Sequence, residues 1–375
     1  MKIKLVFFHP YSKLGGADKS LYKLISSLDQ KKFDITFISI GKIEIKDLFD
    51  KKNNINFISL KSKRTLFTIF QIRKILKEII QKKFEKYFFI SNQNFANVLT
   101  YFIMSNIKFF KVILIERNHL DELKFYKNVN DFIKKKVISF FMSITYKKAD
   151  AVIGISQCLS NDLSKKIIKK VITIYSPAYD KKIFKLSDKK KPNIFNNKNE
   201  KYIINVSRFS KRKDQLTLLK AFSLIKDKIE NLNLILLGYG EEINNLKKYV
   251  QENNLEKKVY FIDKTLNPYP YIKNSDLFVL TSHYEGFPNV LVESLALRTP
   301  VISTNCNAGP KEILLNGKGG ILIKINDHLN LSKKILSFFQ NKKSLLKKMN
   351  YAIKKLNRFE RKQHVLKYEN LFNKL

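Results

Sequence analysis

The sequence contains no tryptophan, only two cysteines, and few prolines, glycines and arginines. Cys158 and Cys306 lie far apart, so they form neither a disulfide framework nor a CxxC metal site. Such sparing use of cysteine favours a reducing compartment. The apolar run before His9 is too short for a signal peptide, and polar residues interrupt the stretch 95–115, which is therefore not a membrane span. We expect a cytoplasmic protein.

Acidic residues are scarce beside basic ones. The chain has 72 Lys and Arg against 32 Asp and Glu, a formal net charge of +40. Only eight of the basic residues are arginines, whose forked guanidinium is the group favoured for reading bases and binding phosphates tightly. The sequence also carries no helix-turn-helix, zinc-finger or RNP signature. The charge therefore predicts a lysine-rich solvated surface with a general attraction to anionic surfaces, and no nucleic-acid partner.

Short apolar runs alternate with helical patterns along the chain, which predicts βαβ units and parallel sheets. At 375 residues the chain has the length of two domains. We predict strands at 4–8, 35–40, 55–60, 87–91, 112–116, 151–155 and 171–175 in the first half. In the second half we predict them at 202–206, 234–237, 259–262, 277–280, 301–303 and 320–323.

The domain boundaries follow from where this alternation breaks. A polar, Lys- and Asn-rich segment begins at Ser176-Pro177 and runs to about residue 200. We predict an N-terminal Rossmann-like domain over 1–175, a linker over 176–200, a second Rossmann-like domain over 201–355, and a terminal helix in 356–375 that packs back toward the first domain. Because ligands bind beyond the carboxyl ends of the strands of such sheets, we expect a cleft between two facing domains.

Several cofactor and nucleotide motifs are missing. There is no complete GxGxxG, since Gly238-Tyr239-Gly240 continues into Glu241 and Glu242, and there is no GxxxxGK[ST]. These absences argue against a nicotinamide dinucleotide site and a P-loop kinase. The sequence has no DxD motif and no His/Cys/Asp cluster with ligand spacing, so we predict no cofactor and no metal.

Two loops could bind an anion. Gly15 and Gly16 follow the first predicted strand and open a helix, where backbone N–H groups favour a phosphate, although an ordinary glycine turn would look the same. Arg208 and Lys213 follow the first strand of the second half, and together they could hold a diphosphate. In so lysine-rich a chain, a solvated basic loop is the competing interpretation.

The segment 281–294 is the most informative. Glu285 lies in a loop after the strand 277–280, and Glu293 lies near the start of the following helix. A carboxylate accepts hydrogen bonds from vicinal hydroxyls, so Glu285 could hold a sugar and Glu293 a ribose. The amides of Gly286, Phe287 and Asn289 could bind a phosphate between them. For Glu293 the alternative is simple stabilisation of the helix dipole.

These segments together resemble the retaining, nucleotide-sugar-dependent glycosyltransferases of family 4, which have two Rossmann-like domains, the GT-B fold. The resemblance spans essentially the whole chain and is strongest over 202–323. Its core is Glu285-x7-Glu293, and it is supported by motifs at 15–17, 206–213, 237–240, 267–271, 299–303 and 308–312. The motifs at 267–271 and 309–312 are most similar to the bacterial subgroup that builds O-antigen, capsule, lipopolysaccharide core and lipid-linked N-glycan precursors.

The resemblance implies roles for individual residues. Arg208 and Lys213 would bind the donor diphosphate, Glu285 the donor hexose, and Glu293 the ribose. The loop at Gly15 and Gly16 would approach the donor, and the remaining donor-binding positions would be Gly286, Phe287, Asn289 and Val290. The family also has a catalytic His after the strand that here is 112–116. In this chain the segment reads Glu116-Arg117-Asn118-His119, so either His119 or Arg117 fills that place.

The implied function is transfer of a hexose or N-acetylhexosamine from a nucleotide sugar, with uridine diphosphate as the expected carrier, to a lipid-linked saccharide with retention of configuration. Segments 64–83 and 132–148 mix lysine with Phe, Ile and Leu at helical spacing. We expect their apolar faces to pack against the sheet and their lysines to attract the inner face of an anionic membrane peripherally. The alternatives are a phosphorylase or epimerase of similar shape, a degenerate transferase, and a basic nucleic-acid-binding protein.

Overall fold

The computed structural model describes residues 1–12, 15–50, 54–61, 65–126, 128–197 and 199–375. These residues form two compact units. Unit 1 comprises Met1–Pro177 together with Arg361–Leu375, and unit 2 comprises Ala178–Glu360. The stretch 178–200, most of the predicted linker, belongs to unit 2 and contains a short helix, whereas the sequence suggested only a polar connection.

Unit 1 is built on a seven-stranded parallel sheet. Its strands are β1 (Ile3–Phe8), β2 (Phe33–Ile40), β3 (Ile55–Leu60), β4 (Tyr87–Asn92), β5 (Lys111–Glu116), β6 (Ala151–Gly154) and β7 (Ile172–Thr173). The strand order is β3-β2-β1-β4-β5-β6-β7. The winding direction therefore reverses between β1 and β4, the place where open α/β sheets bind ligands.

The helices of unit 1 cover this sheet. They are α1 (Gly16–Ile25), α2 (Thr65–Ile80), α3 (Asn94–Met104), α4 (Val129–Thr145) and α5 (Gln157–Ile167). One buried apolar cluster joins α2 and α3 to the sheet, and another joins α4 and α5 to it. Both clusters lie on the same face of the sheet, because their strand residues are aligned in the register. The residues that alternate with them, such as Phe7, Phe37 and Phe88, are buried on the opposite face, which is why the strands are near-continuous apolar runs.

Unit 2 repeats the plan with six parallel strands in the order β10-β9-β8-β11-β12-β13. The strands are β8 (Lys201–Val206), β9 (Leu232–Leu237), β10 (Val259–Ile262), β11 (Leu277–Leu280), β12 (Val301–Thr304) and β13 (Ile321–Ile323). The helices are α6 (Lys182–Ser187), α7 (Gln215–Ser223), α8 (Ile243–Glu252), α9 (Tyr269–Lys273), α10 (Asn289–Ala296), α11 (Pro310–Ile313), α12 (His328–Gln340) and α13 (Lys342–Ile353). The winding reverses between β8 and β11.

The chain then returns to unit 1 as α14 (Arg361–Lys374). The ring of Phe372 contacts those of Phe33 on β2 and Phe88 on β4, with centroids 5.8 and 5.1 Å apart. Arg361 donates hydrogen bonds to the hydroxyls of Ser26 and Ser27 at the end of α1. These contacts fix α14 against unit 1.

All thirteen predicted strands are present, so the prediction of two parallel α/β sheets is confirmed. The expectation that the apolar faces of the two basic segments pack inward is only half right. Ile138 and Met142 of α4 are buried, but Val137 and Phe140 are exposed, as is Phe70 of α2. Arg64, the first residue of the other segment, lies outside the described residues. Among the helices described, none has both the length and the apolar character needed to cross a membrane.

Candidate functional site

Two loops meet at the carboxyl edge of the sheet in unit 2. β8 and β11 are neighbours, so the loops that follow them, 207–214 and 281–288, begin side by side. Lys213 Nζ forms an ion pair with Glu285 Oε1, and Ser282 Oγ donates a hydrogen bond of 2.7 Å to the same carboxylate oxygen. The Glu285 side chain is buried, and that of Lys213 is only 13 % exposed. The structure thus brings together Lys213 and Glu285, which the sequence analysis predicted as site residues in two separate motifs.

Backbone contacts hold the two loops in register. The Thr281 hydroxyl donates to the carbonyl of Lys213 at 3.0 Å, and the His283 amide donates to the carbonyl of Arg212 at 2.9 Å. The Arg212 guanidinium lies over the ring of Tyr284, 5.3 Å from its centroid. Lys213 is therefore fixed at both its backbone and its ammonium group.

Burial and the mutual attraction of the two charges act in opposite directions on the pKa values of this pair. Burial raises the pKa of the Glu285 carboxyl, but the positive charges of Lys213 and Arg212 and the hydrogen bonds from Lys213 and Ser282 outweigh burial, and the pKa is lowered overall. Burial lowers the pKa of the Lys213 ammonium, while Glu285 opposes that shift. Burial also raises the pKa of the nearby Cys306 thiol to about 12, so this cysteine is a neutral neighbour.

Arg208 lies apart from this pair. Its side chain is 57 % exposed, and its Nη2 is 3.0 Å from Glu241 Oε2. Its backbone, in contrast, is held by Gln215, whose Nε2 donates to the carbonyl of Arg208 at 3.0 Å. The backbone of Arg208 is thus held in place, while its guanidinium is exposed to solvent beside the exposed carboxylate of Glu241.

The Gly238-Tyr239-Gly240 segment is a close-packed turn. A Cβ atom on Gly240 would lie 2.1 Å from the carbonyl oxygen of Phe209, and one on Gly238 would lie 1.9 Å from that of Ser207. Only glycine fits at such distances. The turn between β9 and α8 is thereby pressed against the loop that carries Arg208.

The residues after Glu285 lead into α10. Gly286 and Phe287 are buried, and Asn289 and Val290 begin the helix. Glu293, on the second turn, is half-buried, and its Oε1 accepts a hydrogen bond of 3.4 Å from the Tyr269 hydroxyl. The charge of Glu293 raises the pKa of that phenol, with burial adding to the shift. The predicted donor-binding residues of unit 2 thus form one continuous run, from the Lys213–Glu285 pair to the first turns of α10.

A second group of polar residues lies at the carboxyl edge of the sheet in unit 1. Gly15 N–H donates to Asp18 at 2.9 Å, and His9 Nε2 is 3.1 Å from the other oxygen of Asp18. His9 Nδ1 accepts a 2.8 Å hydrogen bond from Asn92, whose carbonyl oxygen accepts one of 2.5 Å from Nε of Arg117. This chain of contacts, which we call the His9 network, connects the glycine loop to Arg117.

Arg117 ends this network with a donor that has no acceptor among the described residues. Its side chain is buried, and its Nη2 has no hydrogen-bond partner there. Burial lowers the pKa of the guanidinium, while charge interactions with Tyr368, Asp18 and Glu116 oppose that shift. A buried guanidinium with an unused N–H group is suited to an anionic or carbonyl oxygen of a ligand.

His119 has different surroundings. Its Nε2 is 3.0 Å from Asp162 Oδ2 on α5, and its Nδ1 is 2.9 Å from Asp121 Oδ2. Neither Asp121 nor Asp162 belongs to the His9 network. Gly16, at the start of α1, is exposed, and a Cβ atom there would meet nothing within 4 Å. The structure itself therefore imposes no steric need for glycine at position 16.

Sequence reasoning missed His9, Asp18 and Asn92. The positions of two of them could have indicated a site. His9 directly follows β1 and Asn92 ends β4, and the winding of the sheet reverses between these two strands. It also missed that His119, Cys158 and Asp162 come together, with ligand atoms all within 4.8 Å of one another. Cys158 and Asp162 are four residues apart, but His119 is 43 residues from Asp162, so no ligand spacing in the sequence includes all three.

Comparison with known proteins identifies the class. Residues 187–356 match the family model described as glycosyl transferases group 1. The chain is 32% identical over 322 residues to an uncharacterized glycosyltransferase of Methanocaldococcus jannaschii, a match that covers 78% of this chain and 77% of the other. In fold it is similar to HepE of Anabaena in complex with UDP-glucose, with a TM-score of 0.82 at 18% identity over 99% of this chain and 100% of HepE. The fold is GT-B.

The chain belongs to the glycosyl transferases of group 1. Another relative is the Campylobacter jejuni enzyme named N-acetylgalactosamine-N,N'-diacetylbacillosaminyl-diphospho-undecaprenol 4-alpha-N-acetylgalactosaminyltransferase. It is 31% identical over 221 residues, which cover 58% of this chain and 56% of that enzyme. The family assignment identifies a transferase of glycosyl groups and leaves the donor and acceptor to be inferred.

Proposed function

We propose that the protein transfers a hexose or N-acetylhexosamine from a UDP-sugar to a lipid-linked saccharide, with retention of anomeric configuration, in the synthesis of a cell-surface polysaccharide, lipopolysaccharide or lipid-linked glycan. The observation that carries this proposal is the buried Lys213–Glu285 pair beside the start of α10, at the reversal point of the sheet in unit 2. A cation, a carboxylate and a helix N-terminus side by side suit a sugar diphosphate, because each binds a different part of it.

Each residue of unit 2 takes a role that its contacts permit. An ammonium group has three donors, so Lys213 can keep its bond to Glu285 and donate another to a phosphate oxygen. Arg208 is exposed, and an exposed ion pair such as Arg208–Glu241 contributes little, so its guanidinium can re-pair with the diphosphate at low cost. Glu285 would hold the hexose and Glu293 the ribose, while Gly286, Phe287, Asn289 and Val290 would contact the phosphates and the nucleoside.

In unit 1 we propose that Arg117, and not His119, contacts the substrates. Arg117 has the unused buried donor and is joined through the His9 network to Gly15. His119 is already paired with two carboxylates.

The rate would come from stabilising the departing diphosphate. Negative charge on the leaving oxygen is largest in the transition state, so cations fixed near it lower the barrier more than they tighten substrate binding. We propose same-face attack with the leaving phosphate as the base, which gives retention. We also propose that no added divalent metal is needed, because Arg208 and Lys213 supply the positive charge.

The acceptor is proposed to be lipid-linked, and the protein to act at the inner face of the cell membrane. The Campylobacter relative is named for a diphospho-undecaprenol substrate.

On α4, five exposed apolar residues form one stripe: Val129, Ile133, Val137, Phe140 and Ile144. At 100° per residue they lie within about 80° of arc. Exposed Lys134, Lys136, Lys147 and Lys148 accompany them, as expected for a helix lying on an anionic lipid surface.

Transfer assays with matched variants test the site. We expect Arg208→Ala to lower turnover of a UDP-sugar about 100-fold or more, while its stability changes by less than about 0.5 kcal/mol because the side chain is exposed. Lys213→Ala should also abolish transfer, at a stability cost of about 3–5 kcal/mol from the buried, unpaired Glu285. Lys211→Ala, at the exposed lysine in the same loop, is the control and should transfer normally.

The result that would contradict the assignment is wild-type turnover by Arg208→Ala or by a Lys213→Ala protein shown to be folded. Nuclear magnetic resonance of the product separately tests retention, and an inverted anomeric configuration would contradict that part. An epimerase would consume the donor without any acceptor, and a degenerate transferase would bind a UDP-sugar, as detected by a thermal shift, without turning it over.

A further inference from the structure

Three side chains with metal-binding atoms lie together in unit 1 and have no role in the proposed transfer. His119 precedes the 3₁₀ turn Leu120–Lys124, while Cys158 and Asp162 lie on α5. Asp162 Oδ2 is 3.0 Å from His119 Nε2 and 3.9 Å from Cys158 Sγ. Ligand atoms from all three residues lie within 4.8 Å of one another.

The secondary structure explains this arrangement. Cys158 and Asp162 are four residues apart on a helix, so their side chains lie on the same face. His119 is buried, and the side chain of Asp162 is 41 % exposed, so the group is fixed on one side and open to solvent on the other. An incoming ion thus has both a preformed face and a path of entry.

We propose that His119 Nε2, Cys158 Sγ and a carboxylate oxygen of Asp162 bind a zinc ion, with water at the fourth position. An imidazole, a thiolate and a carboxylate suit zinc, whereas magnesium and calcium prefer oxygen ligands alone. Zinc bonds of about 2.0 Å to nitrogen and oxygen and about 2.3 Å to sulfur place tetrahedral ligand atoms about 3.3–3.5 Å apart. The two measured distances to Asp162 Oδ2 lie within about half an ångström of that spacing.

The surroundings of His119 support this role. A histidine bound to a metal usually donates its other N–H to a carboxylate, which orients the ring. Asp121 Oδ2 lies 2.9 Å from His119 Nδ1, closer than the Asp121 amide nitrogen at 3.3 Å, so the shorter contact favours a proton on Nδ1. Lys124 lies 2.7 Å from the other oxygen of Asp121. On binding, the Cys158 thiol proton passes to solvent, and the single proton of a neutral imidazole resides on Nδ1, facing Asp121, so that the Nε2 lone pair is available to zinc.

The consequence of binding is local order. Zinc would tie the segment after β5 to α5, with His119 as the anchor, and Arg117 lies two residues before that anchor. The zinc site is independent of the proposed reaction, since its ligands and its test do not involve the sugar donor.

Metal content tests the proposal directly. Untagged full-length protein, loaded with zinc and passed through a desalting column, should retain one zinc per chain by mass spectrometry. Cobalt in place of zinc should give the near-ultraviolet charge-transfer band of a thiolate ligand. Cys158→Ser and Asp162→Asn should each weaken zinc binding more than about 100-fold, and Asp121→Asn, which removes only the orienting carboxylate, about 10- to 100-fold, measured by competition with a chromogenic chelator.

Control variants distinguish zinc binding at this site from non-specific zinc binding. Cys306→Ser removes the other cysteine and should retain zinc like the wild type. Zinc should raise the unfolding temperature of the wild-type protein and of Cys306→Ser, and should leave that of Cys158→Ser unchanged. The proposal is overturned if the wild-type protein retains no zinc, or if Cys158→Ser and Asp162→Asn bind zinc as tightly as the wild type does.

Discussion

Glu116 is a buried carboxyl group at the end of β5, and it makes the stability of unit 1 depend on pH. Its Oε2 accepts a 2.8 Å hydrogen bond from Tyr146, and its Oε1 accepts one of 3.0 Å from the Arg117 amide. Burial raises the pKa of Glu116 to about 7, with the charge of Glu122 adding to the shift and these hydrogen bonds opposing it. The folded protein therefore holds a proton that the unfolded chain releases near its ordinary pKa of 4.5.

The sign of the pH effect follows from this difference. A pKa raised in the folded state contributes stability that is complete below pH 4.5 and is lost as the pH rises to about 7. The loss amounts to about 3 kcal/mol for this group. Buried His364 acts in the opposite direction, because burial lowers its pKa to about 3 and its contribution is lost as the pH falls below 6.5.

The variant Glu116→Gln isolates the contribution of Glu116 to the pH dependence of stability. The neutral amide keeps the shape of the protonated acid, so we expect the variant to gain stability relative to the wild type by about 3 kcal/mol between pH 4.5 and pH 8. Denaturant unfolding of both proteins at several pH values measures the difference, in which the contribution of His364 cancels. A difference that stays constant across this range would show that Glu116 is ionised in the folded protein.

Contacts between residues that are distant in sequence could not be predicted from the sequence. Lys213 and Glu285 were both nominated from their positions after strands, but their mutual ion pair was not. They are 72 residues apart, and only the pairing of β8 with β11 brings their loops together. For the same reason the chemistry of His119 could not be assigned from the sequence, because Asp162 is 43 residues away on another element.

At the scale of elements, strands were the most predictable feature. β10 and β11 match their predicted bounds because strands buried on both faces are short, continuous apolar runs with polar residues on either side. β7 is shorter than predicted, with only Ile172 and Thr173 paired. α4 was harder to interpret because apolar residues lie on two of its faces, and a sequence does not show which of them meets the sheet.

The exposed stripe of α4 leads to a prediction about membranes. We expect the protein to bind vesicles containing anionic lipid, with added salt weakening the binding and not abolishing it, because the stripe contributes an apolar component. Ile133→Ser combined with Phe140→Ser should weaken binding about tenfold or more, since each buried side chain of this size contributes about 1.5–3 kcal/mol. Vesicle sedimentation measures this.

Leu329→Ser is the matched control, because Leu329 is an exposed apolar residue on α12 of unit 2. It should bind vesicles like the wild-type protein. Equal binding by the α4 variant and the wild type, or equal binding of the wild type to anionic and neutral vesicles, would contradict the assignment. Release of all vesicle-bound protein by salt would show that lysines alone attract the surface.

At the scale of the whole molecule, α14 completes unit 1. Tyr368 and Phe372 are buried, and Phe372 lies against two strands of the sheet. We expect Phe372→Ala to destabilise unit 1 by about 3–5 kcal/mol through the lost contacts and the cavity left behind. Hydrogen exchange should then become faster in β1, β2 and β4, and remain unchanged in β8 and β9 of unit 2.

Leu366→Ala provides the comparison on the same helix, since Leu366 is exposed. It should alter stability by less than about 0.5 kcal/mol. If Phe372→Ala sped exchange equally in both units, they would unfold as a single cooperative block.

The return of the chain to its starting unit also bears on how the protein is made. Residues 361–375 leave the ribosome only after all of unit 2 has been synthesised, and yet Phe33 and Phe88 need them as neighbours. During translation, unit 2 can finish folding while the larger sheet, made earlier, still has an uncovered aromatic surface. Unit 1 is therefore completed after unit 2, and we expect the nascent chain to depend on chaperones most strongly before residues 361–375 emerge.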